Sequence, residues 1–126
     1  MRQLLDTHTF IWFVMGNPRI STRVRALIEH EDNENLLSIA SVWEMAIKHS
    51  SGKLNLGLPF NVFIAQQLNS MALLNIQLNY IEVVATLPLH HRDPFDRLII
   101  AQAMVEEVPI LSVDSAFDAY PIERLW

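Results

Sequence analysis

Arg2-Gln3-Leu4-Leu5-Asp6, followed without a break by Thr7-His8-Thr9-Phe10-Ile11-Trp12-Phe13-Val14-Met15, decides the fold. The first segment has the pattern of a short buried strand that stops at a carboxylate. The second has that of a helix, apolar nearly all round, which Gly16-Asn17-Pro18 breaks. Working outward, the alternation continues. Ser21 begins a second helix through about Glu31, Asn35 to Ile39 reads as a second strand, and Ala40 to His49 as a long helix. Pro59 opens a helix to about Met71, Leu73 to Leu78 fits a third strand, and Tyr80 to Thr86 is helical. Then follow a helix from Pro94 to Glu107, a strand from Pro109 to Val113, a helical turn from Ser115 to Ala119 and a terminal strand from Ile122 to Leu125. Strands separated by helices imply an α/β fold in three layers, with helices on both faces of a mostly parallel sheet of four to five strands. Ligands of such sheets bind beyond the carboxyl ends of the strands, and Asp6 and Asp114 each fall at such an end.

At 126 residues the chain fits a single domain, residues 1–126, with no long linker or repeat to divide it. It has no cysteine, which excludes a disulfide framework, a thiolate nucleophile and Cys-ligated zinc, so any metal must sit on oxygen or imidazole. The longest apolar run, Phe10 to Met15, is far too short to span a bilayer, and the expectation is a soluble, unprocessed, cytoplasmic protein with no membrane partner. A net charge of −5 argues against a protein that grips a polyanion by a basic surface. It does not exclude a nuclease, because a divalent ion held in an acidic pocket reverses the local sign. The hydrophobic fraction of 51% exceeds what one small core needs, and together with the apolar first helix it predicts a homodimer.

The chemistry rests on four acids: Asp6, Glu44, Asp96 and Asp114. Each has a structural alternative. Asp6 and Asp114 suit helix N-caps, Glu44 completes the capping-box pattern Ser41-Val42-Trp43-Glu44, and Asp96 complements a helix dipole. What separates them from ordinary caps is topology: all four stand at the corresponding end of their elements, so one pocket can collect them. Carboxylates about 5 Å apart at an effective dielectric near 20 repel by about 3 kcal/mol per pair. Such a cluster requires a cation or shifted pKa values. Hard oxygen donors without thiolate favour Mg2+ or Mn2+, which at phosphodiesters activate water and stabilise the leaving oxygen. Phosphoaspartyl transfer is a poorer fit, because Asp6-Thr7-His8 lacks the second acid that an Asp-x-Asp motif supplies.

Residues 4–12 (LLDTHTFIW), 41–56 (SVWEMAIKHSSGKLNL), 90–103 (HHRDPFDRLIIAQA) and 110–120 (ILSVDSAFDAY) together resemble the PIN-domain ribonucleases, in particular the VapC-type toxins of type II toxin–antitoxin pairs. The resemblance covers nearly the whole chain and keeps order and spacing. It implies that Asp6, Glu44, Asp96 and Asp114 form a catalytic metal site for Mg2+ or Mn2+, that the substrate is RNA, and that a cognate antitoxin protein silences the enzyme. The alternatives are a PIN-like protein-binding module without nuclease activity, and a housekeeping nuclease without an antitoxin.

Supporting roles are less determined. Ser112 stands where the family often has Thr and either orients a carboxylate or bonds to backbone. Asp93 is a helix N-cap ahead of Pro94 or a further site acid. Asp118 resembles an optional outer acid of the family, or is simply solvated. Arg97 either holds a phosphate or pairs with an acid. Lys48 is one helical turn beyond Glu44 and pairs with it or contacts phosphate. His90, His91 and Asp93 match no closed zinc pattern, and Phe10, Trp12, Phe13 and Trp43 fit core or dimer surface better than base stacking.

Overall fold

In the computed structural model, which describes residues 1–126, the sheet is built on leucine alternation. Strand β1 (Arg2–Leu5) is central, flanked by β2 (Glu34–Ser38) and β4 (Ile110–Leu111), with β3 (Ala72–Leu74) and β5 (Arg124–Leu125) at the edges. All pairings are parallel, so the sheet is wholly rather than mostly so. The register aligns Leu4 with Leu36 and Ile110, and Leu5 with Leu37 and Leu111. Because side chains alternate along a strand, each row enters a different core. Leu4, Leu36 and Ile110 pack with Tyr80, Ile99, Ile100 and Phe117. Leu5, Leu37 and Leu111 pack with Phe10, Val24, Met45 and Phe63.

Helices α5 (Leu78–Thr86) and α6 (Pro94–Glu106) cover the first face. Helices α1 (Thr7–Met15), α2 (Thr22–Glu29) and α4 (Phe60–Gln67) cover the second. Helix α3 (Ile39–Ser50) sends Ala40 into one core and Met45 into the other. Each fully buried Leu or Ile contributes about 1.5–3 kcal/mol by leaving water, and these rows fix the strand register that positions the acids.

Several boundaries differ from the sequence expectation for identifiable reasons. The third strand ends at Leu74, not Leu78, because its last partner, Ser38, caps α3, and Leu78 begins α5. The paired part of the fourth strand is only Ile110–Leu111, although Pro109 and Ser112 extend its backbone bonding to β1 and β5. Helix α2 stops at Glu29 and α4 at Gln67, each short of the expected end. The N-cap of α3 is Ser38, whose hydroxyl accepts from the Ala40 N–H at 3.0 Å, so Ser41 caps nothing and the capping-box role of Glu44 falls away. Helix α1 packs more of itself inward than its composition implied: Phe10 is buried, Ile11 to Val14 are half-buried, and Trp12 meets Trp126 edge-on at 5.9 Å. Exposed apolar side chains are spread over several elements, among them Trp43 and Ile47 on α3 and Leu73, Leu78 and Ile81 on β3 and α5, with Leu78 73% exposed. No helix is long and apolar enough to cross a membrane.

Candidate metal centre

Asp6 leaves the carboxyl end of β1 at the N-cap position of α1, yet its side chain makes no capping bond. Its Oδ2 instead accepts the Ser112 hydroxyl at 2.7 Å. Ser112 is wholly buried at the end of β4 and also accepts the Asp114 N–H at 3.1 Å, so one hydroxyl ties two of the four acids across two adjacent strands. Thr9 on α1 donates to the Leu111 carbonyl at 2.8 Å and fixes the helix start against β4. Asp114 combines two functions. Its Oδ1 caps the short 3-10 helix Ser115–Ala119 by accepting from Ala116, while Oδ2 faces the ring of His91.

Glu44 lies in the interior of α3, 8% exposed, with Lys48 Nζ at 3.0 Å from its Oε2. That is the ordinary i,i+4 pair. Asp96 lies in the first turn of α6, and its Oδ2 is 3.1 Å from His91 Nε2. The same nitrogen is 3.2 Å from Asp114 Oδ2. His91, Asp96 and Asp114 thus bring one donor atom each to within 4.8 Å of one another. Asp6 and Glu44 stand outside that tight group, Asp6 bonded to Ser112 and Glu44 paired with Lys48.

Electrostatics nevertheless join all four acids. Burial first, and then the charges of Asp6, Asp93, Glu44 and Asp114, together push the Asp96 carboxyl up to about 8 from an ordinary 3.8. Burial likewise lifts Asp6 above the usual carboxylate range, against the lowering effect of the Ser112 hydroxyl, with Glu44 adding to the rise. A carboxyl raised by burial and by neighbouring carboxylates has too little positive charge around it. The donor set fits a hard divalent cation: oxygen ligands dominate, thiolate is absent, and the electrostatic deficit is the one that such an ion removes.

The supporting residues separate. Asp93 is the N-cap of α6: its side chain accepts the Asp96 N–H at 2.9 Å, its own N–H donates to His91 Nδ1 at 3.4 Å, and its charge acts on Asp96. Asp118 pairs with Arg124 in a two-pronged contact at 2.9 and 3.0 Å, which draws its carboxyl below the usual range and away from the other acids. Arg97 meets neither expectation. It donates to the carbonyls of Val84, Leu87, Pro88 and His91, joining the end of α5 to the loop ahead of α6. His91 is the residue that sequence reasoning missed. The signal in the sequence is its place five residues before Asp96 in the same motif, and of His90, His91 and Asp93 it is His91 whose side chain reaches both the Asp96 and Asp114 carboxylates.

The sequence pattern described as PIN domain matches residues 4–123. A sequence comparison with curated proteins gives no match. Among solved structures, the chain resembles VapBC2 from Rickettsia felis bound to a promoter DNA fragment, with a TM-score of 0.75, 14% identity, and 99% of this chain and 98% of that chain covered. It also resembles VapBC-1 from nontypeable Haemophilus influenzae, at a TM-score of 0.70 and 18% identity over 99% of this chain and 97% of that one. For FitAcB from Neisseria gonorrhoeae the TM-score is 0.69 at 20% identity over 98% and 96%. At these identities the likeness establishes the fold.

Proposed function

This chain belongs to the PIN domain family, and on that premise we propose that it is a divalent-metal-dependent endoribonuclease, the toxin of a toxin–antitoxin pair. The observation that carries the reading is the charge deficit at Asp96, whose carboxyl burial and the acids around it drive up to about 8. Ordinary stability does not call for such a cluster, since each uncompensated like-charge pair opposes folding.

Asp6, Glu44, Asp96 and Asp114 would hold the ion, which is Mg2+ or Mn2+ in this reading. When bound, such an ion supplies Lewis-acid polarisation of a phosphodiester oxygen and acidifies a water molecule. The chain's own part is orientation. Ser112 keeps one Asp6 oxygen turned toward β4. Lys48 offsets the Glu44 charge, and the Ala116 N–H fixes the rotation of the Asp114 carboxylate. These contacts set carboxylate geometry before substrate arrives, which is how a rigid site avoids reorganisation during reaction.

RNA as the substrate and an antitoxin as the partner rest on the family and on the toxin–antitoxin complexes among the structural neighbours. An acidic pocket open to phosphate is also open to an Arg or Lys side chain of a second protein. Homodimerisation is part of the same proposal, with the exposed apolar side chains of β3 and α5 as its surface. The test is cleavage of RNA and DNA by purified protein with Mg2+, Mn2+ or excess chelator, alongside light scattering and co-expression with the neighbouring reading frame. Metal-dependent RNA cleavage that stops with chelator, and growth arrest relieved by the neighbour, support the toxin. RNA cleavage without growth arrest favours a housekeeping nuclease, and no cleavage with any ion favours a protein-binding module.

A further inference from the structure

We infer that His91 is a positioning residue of this centre: its Nε2–H bridges Asp96 and Asp114 and holds the two carboxylates at ligating separation, without itself binding the ion. The inference rests on the metal-centre reading above and assigns one more residue to it. Three observations support it. First, a single nitrogen reaches both carboxylates, at 3.1 and 3.2 Å, within N–H···O distance. Second, the ring is fixed from several sides. It stacks on Phe117 at 5.5 Å with planes 20° apart, the His91 N–H donates to the Tyr120 hydroxyl at 2.8 Å, and the His91 carbonyl accepts from Arg97 at 3.1 Å.

Third, the other ring nitrogen, Nδ1, accepts the Asp93 N–H at 3.4 Å. An acceptor at Nδ1 leaves the proton of a neutral ring on Nε2, so the nitrogen that faces the acids is a donor. Metal-bound histidines show the reverse arrangement, with the outer nitrogen donating to a carboxylate, carbonyl or water. A carboxylate oxygen has more than one lone pair, so Asp96 and Asp114 can keep the His91 bond and still face an ion. The loop from Leu87 to Asp93 therefore acts through this ring on residues of α6 and of the turn after β4. Arg97, which bonds the carbonyls of Leu87, Pro88 and His91, holds that loop in place.

The experiment is Mn2+, Mg2+ and Zn2+ titration by calorimetry and by thermal shift on the full chain, for wild type, His91→Ala, His91→Gln and Asp96→Asn, with circular dichroism to establish folding. Loss of a partner that orients a ligand lowers metal affinity by about 10–100-fold. His91→Ala is expected to show that loss equally for the three ions, and His91→Gln, which keeps an N–H donor, to recover part of it. Wild-type affinity in folded His91→Ala would overturn the inference. So would a loss much larger for Zn2+ than for Mg2+ with no rescue by Gln, the signature of a lost imidazole ligand. If His91→Ala does not fold, His91→Gln alone decides: wild-type relative preference among the ions with at most a modest loss upholds the inference, and a changed preference rejects it. Asp96→Asn separates the two readings, because unchanged affinity there removes the metal centre itself. Loss in Asp96→Asn without loss in His91→Ala removes only the role of His91.

Discussion

The two ends of β1 both gather acids, and they treat them in opposite ways. At the amino end, Arg2 lies 3.7 Å from Glu34 and 3.4 Å from Glu106, and the Tyr80 hydroxyl donates to Glu106 at 2.9 Å. At the carboxyl end, the direct side-chain partners of Asp6, Glu44, Asp96 and Asp114 are Ser112, Lys48 and His91, with no arginine bonded to any of the four, and Asp96 rises to about 8. An acid whose charge is matched by an arginine serves the fold. Acids left with a deficit at the carboxyl ends of parallel strands lower stability by themselves, and this is where the proposed ion would sit.

The largest expected effect comes from Asp96→Asn. Removing one ligand of a divalent ion costs several kcal/mol of transition-state stabilisation, roughly a thousandfold in cleavage rate. Metal-free, the same variant is expected to be more stable than wild type at pH 8, with Tm higher by roughly 10 °C, because the buried charge and its repulsion are gone. A large drop in Tm with retained activity would make Asp96 a structural residue and erase the contrast between the two ends. Ser112→Ala comes next. It frees Asp6 Oδ2 and is expected to lower activity by about 10–100-fold, with Ser112→Thr near wild type; equal rates for all three would show that the hydroxyl orients nothing of consequence.

The pH dependence sharpens the comparison further. A carboxyl whose folded pKa is raised gives stability that is fully present below its unfolded value and is lost as pH rises through the folded one. For Asp96 that window runs from 3.8 to about 8, and burial of Asp6 acts in the same direction. Metal-free protein is therefore expected to lose Tm from pH 5 to about pH 8 and then level off, with a flatter profile in Asp96→Asn and the loss recovered by saturating Mn2+. A flat wild-type profile would mean that the acids do not interact. The smallest effect is expected at the other end, where Glu106→Gln loses a partly exposed pair and keeps an acceptor for Tyr80. Its cost is below about 1 kcal/mol in denaturant unfolding, with unchanged activity. A larger loss there would show that the amino end also carries a functional charge balance.

Much of this molecule was legible in the sequence, for local reasons. Strand-then-helix periodicity at Arg2 to Met15, the glycine break at Gly16 and the Pro94 helix start are properties of short segments, and they place β1, α1 and α6 correctly. The same reasoning put Asp6, Asp96 and Asp114 at the ends of elements that share one edge of the sheet. What it did not supply is what each side chain meets. Arg97 follows a site acid directly in sequence yet turns to the carbonyls at the end of α5, and Asp118 goes to Arg124.

The tertiary structure alone decided three things: that Ser112 bonds Asp6 across 106 positions of sequence, that His91 reaches Asp114 across 23, and that Glu44 lies in a helix interior and not in a cap. The physical reason is one of range. Periodicity and capping chemistry are set by neighbours within a turn or two of backbone, and the sequence by itself determines them. The convergence of acids and their partners depends instead on strand register and on helix packing against both faces of the sheet. That arrangement exists only once the leucine rows of β1, β2 and β4 have been buried together.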